Sequence, residues 1–230
     1  MRNRWLLFFS IPLYTGAFAQ NTGSFTVKTG TSISETIPDS VLYQYPQFTA
    51  GRVHFRNGST TSAQLNYNRF LDEMQFLDSN GDTLAIAEAE TIKLILVGID
   101  SFYYDKGYFF VVGNNGSIKL ATKQGFKILN KQKTAAYDMS TSVSSIRNVN
   151  SYTTEGKIYN LAVREDVVLT RETYYYFGNN YNRFVPATKK DLMSLYPKHR
   201  NEISRYIKEN EVRFQERKDL EKLLQFLAAF

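Results

Sequence analysis

The chain has 230 residues, 43% hydrophobic and 15% aromatic, with 28 Lys and Arg against 22 Asp and Glu for a net charge of +6. That composition can fill one medium-sized core and lies far from the polar, highly charged balance of a disordered chain. With no cysteine there is no disulfide, lipidated cysteine or thiolate metal site, and the mild, dispersed positive charge does not argue for nucleic acid.

At the start, Arg2 and Arg4 precede an apolar run from Trp5 to Leu13, and Ala17 and Ala19 supply small residues just before Gln20. This is the layout of a cleavable secretory signal over residues 1–19, and the run is short for a bilayer anchor. No later segment is apolar enough to span a membrane as a helix, so no transmembrane segment is expected once the signal is removed. Residues 20–40 are rich in Thr and Ser and read as a flexible N-terminal arm, with Phe25 and Val27 able to pair as an edge strand.

From Gly51 the period becomes two. Val53 and Phe55 share one face, and Ala63, Leu65 and Tyr67 share one face beyond Asn57-Gly58, which marks a hairpin. Met74 and Phe76 alternate with Glu73 and Gln75, and Leu84 and Ile86 alternate past Asp78-Ser-Asn-Gly-Asp82. That acidic loop resembles a calcium loop only superficially. Counted from Asp78, its Gly falls fourth rather than sixth, the twelfth residue is Ala89, and strands flank it, so it is expected to be a turn.

Residues 91–98 are almost uniformly apolar apart from Lys93, as in a central strand covered on both faces. Further hairpin tips are expected at Asp105-Lys-Gly107 and at Asn115-Gly116, after which Ile118 and Leu120 face one way. Residues 130–156 hold a Ser/Thr-rich excursion or ligand lid, followed by strands over 157–165 and 166–177.

After Asn180 the period changes to about 3.6. Thr188-Lys-Lys-Asp191 opens a short helix through Leu192 and Leu195. Ile203, Tyr206 and Ile207 share a face of a second helix that ends near Asn210. Leu220, Leu223, Leu224 and Leu227 form the stripe of a third. The chain ends on Phe230, as many outer-membrane barrels end on an aromatic residue, but the last twelve residues have helical rather than strand spacing.

The fold expected from these elements is α+β: mainly an antiparallel β meander or partly closed barrel over 41–177, with a small C-terminal helical unit over 186–230.

Candidate chemistry is sparse. His54 and His199 are the two histidines, neither in a zinc spacing, and no Gly-x-Ser-x-Gly elbow or phosphate loop is present. No catalytic residue, metal ligand or cofactor is therefore assigned. Asp72, Glu73, Asp100 and Asp105 lie near strand ends, where a pair of carboxylates could hydrolyse a glycoside, but acidic residues at turns are expected without catalysis. The aromatic run YYYFGNNYNRF (174–184) stands out, and Tyr174, Tyr175, Tyr176 and Tyr181 are the candidate ligand- or partner-binding residues. Alternation sends Tyr174 and Tyr176 to one face and Tyr175 and Phe177 to the other, so one pair is expected to face solvent or the C-terminal helices. Docking the helices onto the sheet is the favoured role of these rings, and stacking on a sugar or contact with a protein partner is the alternative.

The segments GRVHFRNGSTTSAQLNYN, EMQFLDSNGDTLAIA, FYYDKGYF and ATKKDLMSLYPKHRNEISRYIKEN, together with the signal, give a chain that resembles secreted cell-envelope proteins of unknown function from Bacteroidota. The resemblance runs over most of the chain beyond residue 19 and carries no catalytic motif. It implies a Gram-negative envelope. Lacking a recognisable C-terminal sorting domain, the chain is expected in the periplasm, with outer-membrane association or release as the alternatives. The function expected is non-enzymatic binding or assembly with an envelope protein partner. A carbohydrate or lipid ligand held by residues 174–181 is the alternative, and a hydrolase using the turn carboxylates a third.

Overall fold

The computed structural model describes residues 23–116, 118–130, 147–148, 163 and 166–230. The expected signal, most of the 130–156 excursion and, apart from Val163, the expected 157–165 strand lie outside the described residues.

The segment expected as an arm carries β1 (Ser24–Val27) and two single-turn helices, α1 (Ile33–Thr36) and α2 (Asp39–Leu42). Ser32 caps α1 reciprocally: its Oγ accepts from the Glu35 amide at 3.2 Å, while Glu35 Oε2 accepts from the Ser32 amide at 3.0 Å. Val27, Ile33, Ile37 and Leu42 are buried, so burial and pairing hold a stretch whose composition gave no periodicity.

β2 (Thr49–Phe55), β3 (Thr60–Asn68), β4 (Glu73–Leu77) and β5 (Thr83–Ala85) form one antiparallel meander. Gly58 at φ 90° and Gly81 at φ 86° make the turns that the Asn-Gly pairs announce. In the second turn Asp78 Oδ1 accepts from the amides of Asn80 at 2.8 Å and Asp82 at 2.9 Å, so the acidic loop closes on its own backbone. A 3-10 turn (Ala89–Thr91) then brings β6 (Ile92–Val97) back to the free side of β2.

From β6 a second meander leaves in the opposite direction through β7 (Asp100–Tyr104), β8 (Tyr108–Asn115) and β9 (Ile118–Asn130). The two-residue β10 (Arg147–Asn148) pairs with β9, and β11 (Val167–Gly178) pairs with β9 over its whole length. The outer side of β11 is shared, by β1 at Val167–Thr170 and by β12 (Phe184–Pro186) at Tyr176–Gly178.

The twelve strands described make one antiparallel sheet whose ends, β1 and β5, do not meet. The α+β expectation with an antiparallel meander therefore stands, in a sheet that is not closed among the described residues. β6 sits near the middle of the sheet but is covered on one face only: Ile92, Ile95 and Val97 are buried, whereas Lys93 is exposed and Leu94 and Leu96 half-buried.

Three helices follow: α3 (Lys189–Leu195), α4 (Arg200–Glu209) and α5 (Arg217–Leu227). Thr188 caps α3, its Oγ1 accepting from the Asp191 amide at 3.1 Å, and Asn210 is the C-cap of α4. Leu192, Ile203, Leu220, Leu223 and Leu227 are buried together with Ile118, Leu120 and Phe177 of the sheet. Burial of each such side chain stabilises the contact by about 2 kcal/mol before entropy is counted. Gly113 lets α5 approach, since a Cβ there would come within 2.9 Å of Leu224 Cδ2, and Asn115 Nδ2 donates to the Leu224 carbonyl at 3.0 Å. Two further apolar clusters complete the interior. One joins β1, α1 and α2 to β9 and β11 through Val27, Leu42, Phe126 and Leu169. The other fills the curl of β2 to β8 around Leu65, Met74, Ile95 and Phe102. Among the described residues no helix is long and apolar enough to cross a membrane.

Candidate functional site

The register of β7, β8, β9, β11 and β12 decides which side chains share a face. Lys119 lies opposite Gly178, Ala121 opposite Tyr176, Lys123 opposite Tyr174 and Lys127 opposite Thr170. Val111 lies opposite Ala121, Tyr103 opposite Phe109, and Phe184 opposite Gly178. Because side chains alternate, Tyr103, Phe109, Lys119, Lys123, Lys127, Tyr174, Tyr176 and Phe184 all stand on one face. The other face gives Ile118, Leu120, Tyr175 and Phe177 to the helices.

The rings on this face touch one another. Phe109 stacks on Phe184 with centroids 4.3 Å apart and planes 5° from parallel, and Tyr176 meets Phe109 edge-on at 4.9 Å. Tyr103 lies 6.1 Å from Phe184. Gly178 makes room for this arrangement, because a Cβ there would fall on the Phe184 ring, with Cδ1 at 2.8 Å. Asp105 fixes the start of β12 by accepting from the Phe184 amide at 3.0 Å.

Three lysines run along β9 at four-residue intervals, about 13 Å apart at the rise of a strand. Lys127 pairs with Glu172 at 2.7 Å, and Glu172 also accepts from the Tyr174 hydroxyl at 2.5 Å. Burial raises the Glu172 pKa, but these two donors outweigh it and hold the carboxyl below its ordinary range. Lys123 lies over the Phe109 ring at 5.3 Å and pairs with Asp72 at 2.6 Å. Lys119 lies over the Tyr103 ring at 5.2 Å, and its Nζ is 3.4 Å from the Asn179 carbonyl. Burial lowers the Lys119 pKa.

Asp72 closes one end of the face. It adopts φ 57° in the turn between β3 and β4, and its Oδ1 accepts from the Tyr67 hydroxyl at 2.7 Å and the Tyr108 amide at 3.2 Å. Burial raises its pKa, opposed by Lys123 and by the hydrogen bonds.

The four candidate tyrosines thus divide. Tyr174 and Tyr176 stand on the aromatic–lysine face, Tyr174 being 38% exposed and Tyr176 half-buried. Tyr175 is half-buried against the helices. Tyr181 is 85% exposed at the turn from β11 to β12, where Asn179 Oδ1 accepts from the Tyr181 and Arg183 amides. Missing from the sequence-derived candidates are Tyr103, Phe109, Phe184 and the three lysines. The spacing of Lys119, Lys123 and Lys127, alternating with Ile118, Leu120 and Phe126, is the signal that could have found the lysines.

Of the other turn carboxylates, Asp100 accepts from the Tyr45 hydroxyl at 2.9 Å, and Glu73 from Gln75 at 3.0 Å. His54 Nδ1 lies 3.2 Å from the Thr60 hydroxyl, and His199 stacks on Phe230 at 4.3 Å. No protein-family model matches the chain, and no curated protein or solved structure matches it either.

Proposed function

We propose that the chain is a non-enzymatic binding or assembly protein of a Gram-negative cell envelope, exported by residues 1–19 and working in the periplasm. Its ligand, an envelope component, lies on the aromatic–lysine face. The observation that carries this reading is the contact set of Tyr103, Phe109, Tyr176 and Phe184 beside Lys119 and Lys123, on the side of the sheet that α3–α5 do not cover. The helical unit supports the face from behind, since its apolar stripes are spent on the sheet. Weighing against a hydrolase is the use of Asp72, Asp100 and Asp105 as hydrogen-bond acceptors that hold turns and strands together.

The test uses tagged mature protein and a Tyr174→Ala/Tyr176→Ala variant, each cross-linked in isolated cell envelopes. Retention of an envelope component by the parent and its loss in the variant is expected. Equal retention by both would remove the face from consideration, and retention lost only when α3–α5 are altered would move the contact to the helices.

A further inference from the structure

The lysines of the face are not equivalent. Lys123 has Asp72 and Lys127 has Glu172, whereas Lys119 forms no ion pair among the described residues. Yet Lys119 is only 8% exposed. Its Nζ meets a backbone carbonyl at a long 3.4 Å and the face of Tyr103, both weaker partners for an ammonium than a carboxylate. A cation taken out of water with so little compensation gains more than an exposed lysine would from an arriving anion. It stands where β9 passes the β11–β12 turn: Tyr103 of β7 lies under its ammonium, Phe184 of β12 flanks Gly178 opposite it, and Asn179 of the turn points its carbonyl towards it.

We infer that Lys119 is the anion-binding point of a site for an acidic saccharide, whose carboxylate meets Lys119 Nζ while a sugar ring lies on Tyr103, Phe184 and Tyr176. This deepens the binding reading above and rests on it. Sugar rings present flat C–H surfaces that aromatic rings accept, and their hydroxyls need polar groups close by, as the Asn179 and Tyr181 turn provides. An uncharged sugar would leave Lys119 as it is. A phospholipid would require an apolar groove for its chains, and here the rings share a sheet face with three lysines.

The experiment is titration calorimetry of the mature chain at low salt with oligomers of galacturonate and of glucuronate. Maltopentaose is the neutral control, and sedimentation with phosphatidylglycerol vesicles is a separate arm. Binding of at least one acidic oligomer but not of maltopentaose is expected. Lys119→Gln should weaken it about tenfold or more, Lys119→Arg should keep most of it, and Tyr176→Ala should weaken it; circular dichroism checks that each variant is folded. Equal affinity for the neutral oligomer, no effect of Lys119→Gln in a folded variant, or preference for the vesicles would overturn the proposal. So would failure of both acidic oligomers to bind. If that failure comes with face-dependent capture from envelopes, the saccharide is wrong and the face is right; if capture also ignores the face, both readings fall.

Discussion

Replacing Lys123 by Met tests how the sheet is held in its curl. Methionine keeps an apolar stem over Phe109 and removes the ammonium that pairs with Asp72 at 2.6 Å. Asp72 then retains the Tyr67 hydroxyl and the Tyr108 amide, both on Oδ1, while Oδ2 loses its ion-pair partner. Breaking a fully buried pair costs about 3–5 kcal/mol, but these side chains are 12% and 20% exposed. With two donors left and some water access, a loss of about 2–3 kcal/mol at pH 7 is expected. For a chain of this size that is a fall in Tm of about 5–10 °C.

The loss should shrink in acid. Asp72 already has a raised pKa, so between its unfolded and folded values the native state holds more protons than the unfolded one, and stability declines as pH rises. Removing Lys123 raises the folded value further and widens that window. Below both values Asp72 is neutral and the missing ammonium costs little. Urea denaturation followed by far-ultraviolet circular dichroism at pH 4, 5.5 and 7 measures the difference between parent and variant. A difference that stays constant with pH, or grows in acid, would refute the account of Asp72 as a buried acid held by Lys123.

Gly178→Ala should push Phe184 off Phe109 and cost about 1–3 kcal/mol, and the cost should nearly vanish in a Phe184→Ala background. An additive double-mutant cycle by thermal melts would refute the contact. Asp166, bonded to Lys28 Nζ at 2.8 Å and to the Thr29 amide and hydroxyl, has its pKa held at about 2 against an ordinary 3.8. Its contribution is therefore complete above about pH 4 and lost as pH falls through about 2, so pepsin should begin to cut residues 24–42 across that window in the parent. Asp166→Asn should be cut already at pH 4; an unchanged pattern would show that this clasp does not hold β1.

The turns were legible because their chemistry is local. Asn57-Gly58, Asn80-Gly81 and Asn115-Gly116 each place a left-handed glycine between alternating residues, and each is a hairpin turn. The helical stripes were legible for the same reason: Leu220, Leu223, Leu224 and Leu227 need only the period of their own helix. Pairing between distant segments was not. Nothing local in residues 24–27 announces that they lie on Val167–Thr170, and the return of β6 to the far side of β2 is equally silent. The site divides along the same line. Alternation separates Tyr174 and Tyr176 from Tyr175, but only the register brings Tyr103, Phe109 and Phe184 beside them. The carboxylates left two readings open in the sequence because a turn acid and a catalytic acid have the same local residues, and the difference lies in what donates to them.

If the aromatic–lysine face is the binding surface proposed above, the two faces of β9 and β11 tie stability to recognition. Ile118, Leu120 and Phe177 anchor α5 and its neighbours on one side, and Lys119, Ala121 and Tyr176 alternate with them on the other. A shift of one residue in this pairing would turn the lysines into the apolar cluster and the leucines into solvent, so the helix contacts oppose any slip of the face behind which they sit. The bulge between Val111 and Gly113 of β8 sits at this junction, where the pairing shifts from Ala121 to Leu120 and Gly113 lies against Leu224 of α5. Loosening the helix layer should therefore lower the affinity of the opposite face before it unfolds the chain, whereas substitutions at Tyr174 should change affinity and leave the helices in place.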